Sequence, residues 1–557
     1  MSTAPTAGAP LRTLLHLAGW LAVWGLLTAV ALSTRSLVPI DETRYAAVAW
    51  EMWARGDGLV LHLNGEPYSH KPPLLFWLIE LSWAVFGIGD AQARLVTALA
   101  AFANLPLLAV LAARLWPQDP GPRRCAPWLL YGGLYYALFG TMLMFDLLMS
   151  VCVLIGLTGL AGAWRSGGRR RDWLLYALGL GLGGLTKGPA VLVYLLPPAL
   201  LAPLWIVEAR PDWRRWYRAL GLSLLGGFAL ALAWAVPAAI AGGAEYRGAI
   251  LWGQTAGRMV QAFAHQRPFW WYLPVLPLIL LPWTLWLPLW RALPALRTEA
   301  GGSALRFCLA CFVPGFLIFS AVSGKQVHYL LPLLPALLLP AARALTLGAC
   351  DRRPGRLAVA LVIAPVVGLG VLLALAPSFV DHYRWPDWVG TVSPLWGLAV
   401  AGLGLAWAPL LRTRQSGLWL AVLPAVLGAL LYAGIARPAT VALDGSPVAQ
   451  AIGRLQTEGV TVAHPGKYHG EFQFPGRLRQ PLEVITRGSE LEWARAHPQG
   501  ALIVRHDELD PEQAALAVIV QPYRQRYAAL WRAQTLIEHP ELLAKESGES
   551  RGSEGEE

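Results

Sequence analysis

Two carboxylates, Asp41 and Glu42, stand side by side just past the first long apolar stretch, in the segment DETRYAAVAWEMWARGDGLVLHLNGEPYSHKPPLLFW. Arg44 follows them, and His70, Lys71 and the Pro72-Pro73 pair lie near its end. A carboxylate can take a proton from an attacking hydroxyl, and cations can stabilise a phosphate as its ester bond breaks. The same residue types recur singly elsewhere: Asp146 in MLMFDLLMS, Lys187 in LTKGP, His265 in HQRPFWWYLP, and Lys325 and His328 in SGKQVHYLLPLLP. Ionisable groups are costly beside a bilayer unless they are used. For Lys187 and Lys325 a snorkelling helix end is an equally good reading. Asp146, set between apolar runs, is harder to read that way. Together the acids, lysines and histidines suit group transfer from a lipid phosphate. The chain has no Gly-rich phosphate loop, which agrees with a polyprenyl-phosphate sugar rather than a nucleotide sugar as donor.

The elements that must position these groups are membrane helices. Of the 557 residues 56% are hydrophobic and 14% charged, against about 25% charged in soluble proteins. The net charge of +11 comes largely from arginines in short clusters between apolar spans. That is a topology signal, and it argues against a nucleic-acid partner. The 27 tryptophans suit interfacial belts, as in Phe269-Trp270-Trp271-Tyr272. All five cysteines lie in or beside apolar spans, and the Cys308/Cys311 spacing is read as core packing rather than as a metal or redox pair.

Apolar spans of about 20 residues fall near 11–33, 92–115, 125–143, 145–164, 173–187, 188–208, 219–241, 268–290, 304–322, 327–347, 358–376, 393–411 and 416–435. The first is read as an uncleaved anchor. Residues 74–88 are short and contain Glu80, and they are expected to lie on the outer leaflet. With that assignment the arginine clusters gather at cytoplasmic ends, as the positive-inside rule requires. The N-terminus is then inside, and the C-terminus and every group named above are outside. The expected fold is an all-α polytopic membrane protein of about thirteen transmembrane helices over residues 1–435, with the active site in the loop 34–91. A small α/β domain is expected at 436–540, from stretches such as SPVAQAIGRLQ, VTVAHP and ALIVRH, and a disordered tail at 541–557.

DETRY, Gly56-Asp57, HKPPLLFW, MFDLL, LTKGP, HQRPFWWYLP and SGKQVHYLLPLLP occur in order over roughly residues 10–345. In combination they resemble the aminoarabinose transferase and dolichyl-phosphate-mannose protein mannosyltransferase superfamily, glycosyltransferases of the GT-C fold. The resemblance implies inverting transfer from an undecaprenyl- or other polyprenyl-phosphate sugar on the periplasmic side of a bacterial inner membrane. By it, Asp41 resembles the catalytic acid with Glu42 beside it, and Asp146 the acid of the second loop. Arg44, Lys71 and Lys325 resemble phosphate-holding groups, with Lys187 and Tyr329 as further donor-binding residues. His265 resembles a metal-site histidine. The residue before the Lys-Pro pair is a zinc-binding glutamate in the aminoarabinose transferases and is His70 here, so a divalent metal, zinc or magnesium-type, would have an altered ligand set.

The acceptor stays open at this point. A lipid A phosphate is already ionised, whereas a sugar or protein hydroxyl requires Asp41 as base. A protein O-mannosyltransferase-like enzyme is the nearest alternative. A lipid-linked sugar flippase would show internal repeats and midplane charges, which are not seen. A non-catalytic sensor would leave the Asp41 cluster without a use.

Overall fold

A computed structural model describes residues 9–250, 266–348, 353–383 and 385–546. Among these, ten helices are long and apolar enough to cross a membrane. The expected thirteen segments map onto them with three differences, each with a local cause. Residues 125–143 form two helices, Pro120–Tyr131 and Leu134–Phe139, parted at Gly132-Gly133. Residues 268–290, rich in proline, break into Tyr272–Ile279, a turn at Trp283–Leu285, and Leu287–Ala292. The two breaks face each other: Leu134 N donates to Leu281 O at 2.7 Å, and Trp283 Nε1 to Leu129 O at 2.8 Å. Irregular backbone inside a bundle is tolerable when protein partners satisfy it.

The third lies in the count alone, since the expected segments 173–187 and 188–208 are separate helices that reverse at their junction. Arg170–Leu200 is continuous in length and hydropathy, but the chain turns back at Gly188, where φ is +62°. Val191–Leu200 then runs antiparallel to Arg170–Lys187, and Tyr176 Oη donates to Leu195 O at 2.9 Å.

Glycine sets the tightest helix pair. Asp146–Ser166 and Arg170–Lys187 are joined through Gly167 and Gly168, both left-handed at φ +68° and +94°. A Cβ on Gly159 would lie 2.6 Å from Asp172 O, and one on Gly179 2.6 Å from Cys152 O. Backbone therefore packs on backbone, as small residues allow in membranes. The two helices, of 21 and 18 residues, return the chain to its starting level. Asp146 opens one and Lys187 closes the other, so each charge also suits its helix dipole.

The opposite end of the bundle is held by arginine. Arg343 pairs with both Asp119 and Glu299, and Arg114 with Asp172 at 3.1 Å. Cys308 and Cys311 are buried in the core as free thiols.

Residues after the bundle form a five-stranded mixed sheet. Its strands are β3 (Val462–Pro465), β4 (Glu483–Ile485), β5 (Ala501–His506), β6 (Ile519–Tyr523) and β7 (Arg526–Arg532), in spatial order β4-β3-β5-β7-β6. Alternate faces bury separate apolar clusters, one with Ile503 and Leu530 and one with Leu502 and Trp531. Order runs past the expected boundary at 541: Pro540–Glu546 form a helical turn and bury Leu542. Residues 547–557 lie outside those described.

Candidate active site

The inner part of the site is the Asp146–Lys187 pair, at 2.6 Å, with the side chains 2% and 11% exposed. Lys187 Nζ also lies 5.1 Å above the Tyr329 ring, and Tyr194 Oη fixes that residue by donating to Tyr329 O at 2.9 Å. His328 Nε2 is 3.9 Å from Asp146 Oδ2 and its ring stacks on Phe139. That Oδ2 atom is buried and accepts no hydrogen bond. A half-used buried carboxylate beside a lysine is a site with capacity to spare.

The outer part is the helix Asp41–Arg55, whose sequence DETRYAAVAWEMWAR puts Tyr45, Ala46, Ala49 and Trp50 into the core. Asp41 pairs with Arg44 one turn on, and both remain partly exposed, at 45% and 21%. Tyr45 joins outer to inner: its ring meets Phe145 edge-on at 4.9 Å, and Phe145 immediately precedes Asp146. Burial, with Asp41, Tyr68 and Asp146 adding to it, pushes the Tyr45 phenol well above its ordinary value. Lys71 Nζ sits 6.0 Å over the same Phe145 ring. His328 lies in the combined field of Asp146, Lys187, Asp41 and Lys71. The structure thus brings together Asp41, Arg44, Lys71, Asp146, Lys187, His328 and Tyr329 around an aromatic floor of Tyr45, Phe76 and Phe145.

Glu42, expected beside Asp41 as a second catalytic acid, is placed differently. It is 1% exposed and accepts from Arg35 at 2.6 and 3.2 Å, Val38 N at 2.8 Å and Leu143 N at 2.6 Å. Its oxygens are committed to holding the loop before Asp146 against the helix that carries Asp41. Arg35 also donates to Thr141 O at 2.7 Å, and Arg94 to Arg35 O at 2.7 Å. Arg35 and Arg94 escaped the sequence reading. Their signal was an arginine at the end of one apolar span and another inside AQARLVTALA, each improbable in lipid without a partner.

Lys325 is likewise tied elsewhere, its ammonium donating to the carbonyls of Arg267 and Val322. His70 is exposed, with its ring 5.2 Å from that of Tyr68, and His265 lies outside the described residues. No three His, Cys, Asp or Glu side chains gather around a cation-sized point among the described residues.

The Asn64-Gly65 turn (φ +54° and +82°) closes a short hairpin, β1 (His62–Leu63) with β2 (Glu66–Pro67). Asn-Gly is the preferred dipeptide for such a turn. Buried Glu51 accepts from Gly65 N at 3.0 Å and from Gln473 Nε2 at 3.2 Å. Trp50 Nε1 donates to Leu478 O at 2.8 Å, and Trp83 stacks on Phe474 at 5.0 Å. The sheet-bearing region is therefore seated on the back of the helix that carries Asp41.

Comparison with known proteins places these features. A family described as dolichyl-phosphate-mannose-protein mannosyltransferase matches residues 70–240. The chain is 33% identical to an undecaprenyl phosphate-α-4-amino-4-deoxy-L-arabinose arabinosyl transferase of Pseudomonas aeruginosa (strain UCBPP-PA14), over 57% of this chain and 58% of that protein. It is 31% identical to the protein of the same name from Edwardsiella ictaluri, over 78% of this chain and 79% of that one. The fold is similar to the crystal structure of ArnT from Cupriavidus metallidurans bound to undecaprenyl phosphate, with TM-score 0.71 and 20% identity, covering 94% of this chain and 98% of that one.

Proposed function

The chain belongs to the family of undecaprenyl phosphate-α-4-amino-4-deoxy-L-arabinose arabinosyl transferases, and from that premise we propose that it is a multi-pass membrane glycosyltransferase of the bacterial inner membrane. It moves an aminoarabinose-type sugar from undecaprenyl phosphate to lipid A, with the site facing the periplasm. The observation that carries this reading is the Asp146–Lys187–His328 group sharing one field with Asp41 and Lys71 at one end of a helical bundle.

The bond between the sugar's anomeric carbon and the donor phosphate oxygen breaks, and its electron pair leaves with the phosphate. The acceptor oxygen forms the new bond from the opposite face, inverting the anomeric configuration. Lys187 and Lys71 hold the departing phosphate, because cations fixed in a low-dielectric pocket stabilise developing anionic charge strongly. Arg44 exchanges Asp41 for phosphate when donor arrives, and so frees Asp41 to orient the acceptor. A lipid A phosphate is already ionised and needs no strong base.

Lipid A from a deletion strain, complemented with wild type or Lys187→Met, tests the reading by mass spectrometry. The aminopentose should be present only with wild type. Unchanged lipid A accompanied by a lost glycan on protein would transfer the proposal to a protein acceptor.

A further inference from the structure

The helix Ser303–Ala321 leads at its far end into the segment that carries Lys325 and His328, and it begins at the opposite end of the bundle. Beside its first turns lies an open cavity of about 450 Å³, lined by Trp290, Leu293, Leu296, Arg297, Leu305 and Leu309 among others. That volume falls within the range of small-ligand sites, about 300–1,000 Å³. Apart from Arg297 these walls are apolar.

The rim is positive. Arg297 lines the cavity, and Arg291 and Arg306 directly follow the lining residues Trp290 and Leu305. All three arginines are exposed, and among the described residues none of their side chains has a hydrogen bond or ion pair. Arg343, at the same end, is 11% exposed and holds both Asp119 and Glu299. Glu299 is the one carboxylate of the turn Leu293–Glu299, so the acid nearest Arg297 in the chain is already taken. One arginine fastens the fold here; the other three are open to an anion.

The apolar surface continues from the cavity in a definite register. Arg306, Leu309, Val313 and Leu317 recur at spacings of three and four, which places them on one helix face. The three apolar members are 59%, 42% and 60% exposed. From Arg306 to Leu317 is about 16 Å along the axis, close to one leaflet of hydrocarbon at roughly 15 Å. Trp290, 52% exposed, stands at the cavity with its Nε1 donating to Thr284 O at 2.9 Å, and tryptophan belongs at the headgroup level. A topology signal requires positive charge alone. It requires neither a cavity beside the charge nor an apolar stripe one leaflet long leading away from it.

We propose that this cavity binds an anionic glycerophospholipid, its phosphate held among Arg291, Arg297 and Arg306 and an acyl chain laid along Leu309, Val313 and Leu317. The apolar walls favour a lipid over free phosphate, and the acid-free positive rim favours an anionic headgroup over a zwitterionic one. The site is separate from the reaction and does not depend on the transferase reading.

Native mass spectrometry of the purified full chain tests this, with phosphatidylglycerol and phosphatidylethanolamine of matched acyl chains as probes. Wild type should retain phosphatidylglycerol preferentially. Arg297→Gln and Arg306→Gln should each lower that preference about fivefold, the effect of one arginine near an anionic lipid surface. Both positions are exposed, so lipid-free thermal unfolding should match wild type. Arg412→Gln, in the loop between Pro394–Trp407 and Ser416–Leu431, is the control and should leave the preference intact. Equal retention of the two lipids by wild type would overturn the site. So would an Arg412→Gln effect as large as that of Arg297→Gln, since the preference would then be one of general surface charge.

Discussion

Asp41 and Glu42 are adjacent acids that should fail in opposite ways. Glu42 is 1% exposed against Arg35, whose side chain is 7% exposed, and it also anchors Val38 N and Leu143 N. Glu42→Gln keeps an amide oxygen for one of those N–H groups but leaves the Arg35 charge buried without its counter-ion. Removing one partner of a buried pair costs roughly 3–5 kcal/mol, enough to consume a large share of a typical folding stability. Asp41 is 45% exposed in its pair with Arg44, and exposed pairs contribute about 1 kcal/mol or less. Asp41→Asn should therefore fold as wild type does while transfer falls by about 10²–10⁴-fold, the usual range for a lost proton-handling or orienting carboxylate. The assay is paired: chemical or thermal unfolding in detergent micelles, and single-turnover transfer from the polyprenyl donor on the same preparations. Glu42→Gln should lose stability first, and any fraction that remains folded should still transfer. An Asp41→Asn protein with full activity, or a Glu42→Gln protein of full stability and no activity, would refute the division of labour drawn from these contacts.

Lys187→Met should cut transfer by about 10²–10³-fold. It also leaves Asp146 unpaired, so adding Asp146→Asn should recover stability without recovering activity, and additive losses in that cycle would mean the pair is not coupled. Trp50→Phe deletes the hydrogen bond to Leu478 O and should cost about 1 kcal/mol. Its signature is faster amide exchange in residues 470–482, and unchanged exchange there would show that this contact does not hold the sheet-bearing region. His464, 4% exposed, is held neutral in the fold, its pKa lowered to about 4 chiefly by burial. The unfolded chain takes up that proton near the ordinary value of 6.5. The stabilisation is thus fully present above about pH 6.5 and is lost as pH falls toward 4, by up to about 3 kcal/mol. Exchange protection of β5 should fall over that window in wild type and stay flatter in His464→Gln.

Most of the helical architecture was legible in the amino-acid order, because hydrocarbon admits few alternatives to apolar helices. The residue types at Asp41, Lys71, Asp146 and Lys187 were legible for the same reason: charge in lipid is too costly to be idle. Two predicted spans proved broken, because glycine and proline interruptions can be repaired by a partner strand of backbone that no local pattern reveals. Glu42 looked equivalent to Asp41 by position alone. Only the meeting of Arg35, Val38 and Leu143 around its oxygens separates an anchoring carboxylate from one left open at the rim. Gly470 lies hundreds of residues from Ala47 along the chain, and the two pack together because glycine carries no side chain. Hydropathy and charge act through the solvent each residue must face, so sequence states them directly. Which charge meets which depends on how closely backbones pack, and that was decided by the tertiary structure.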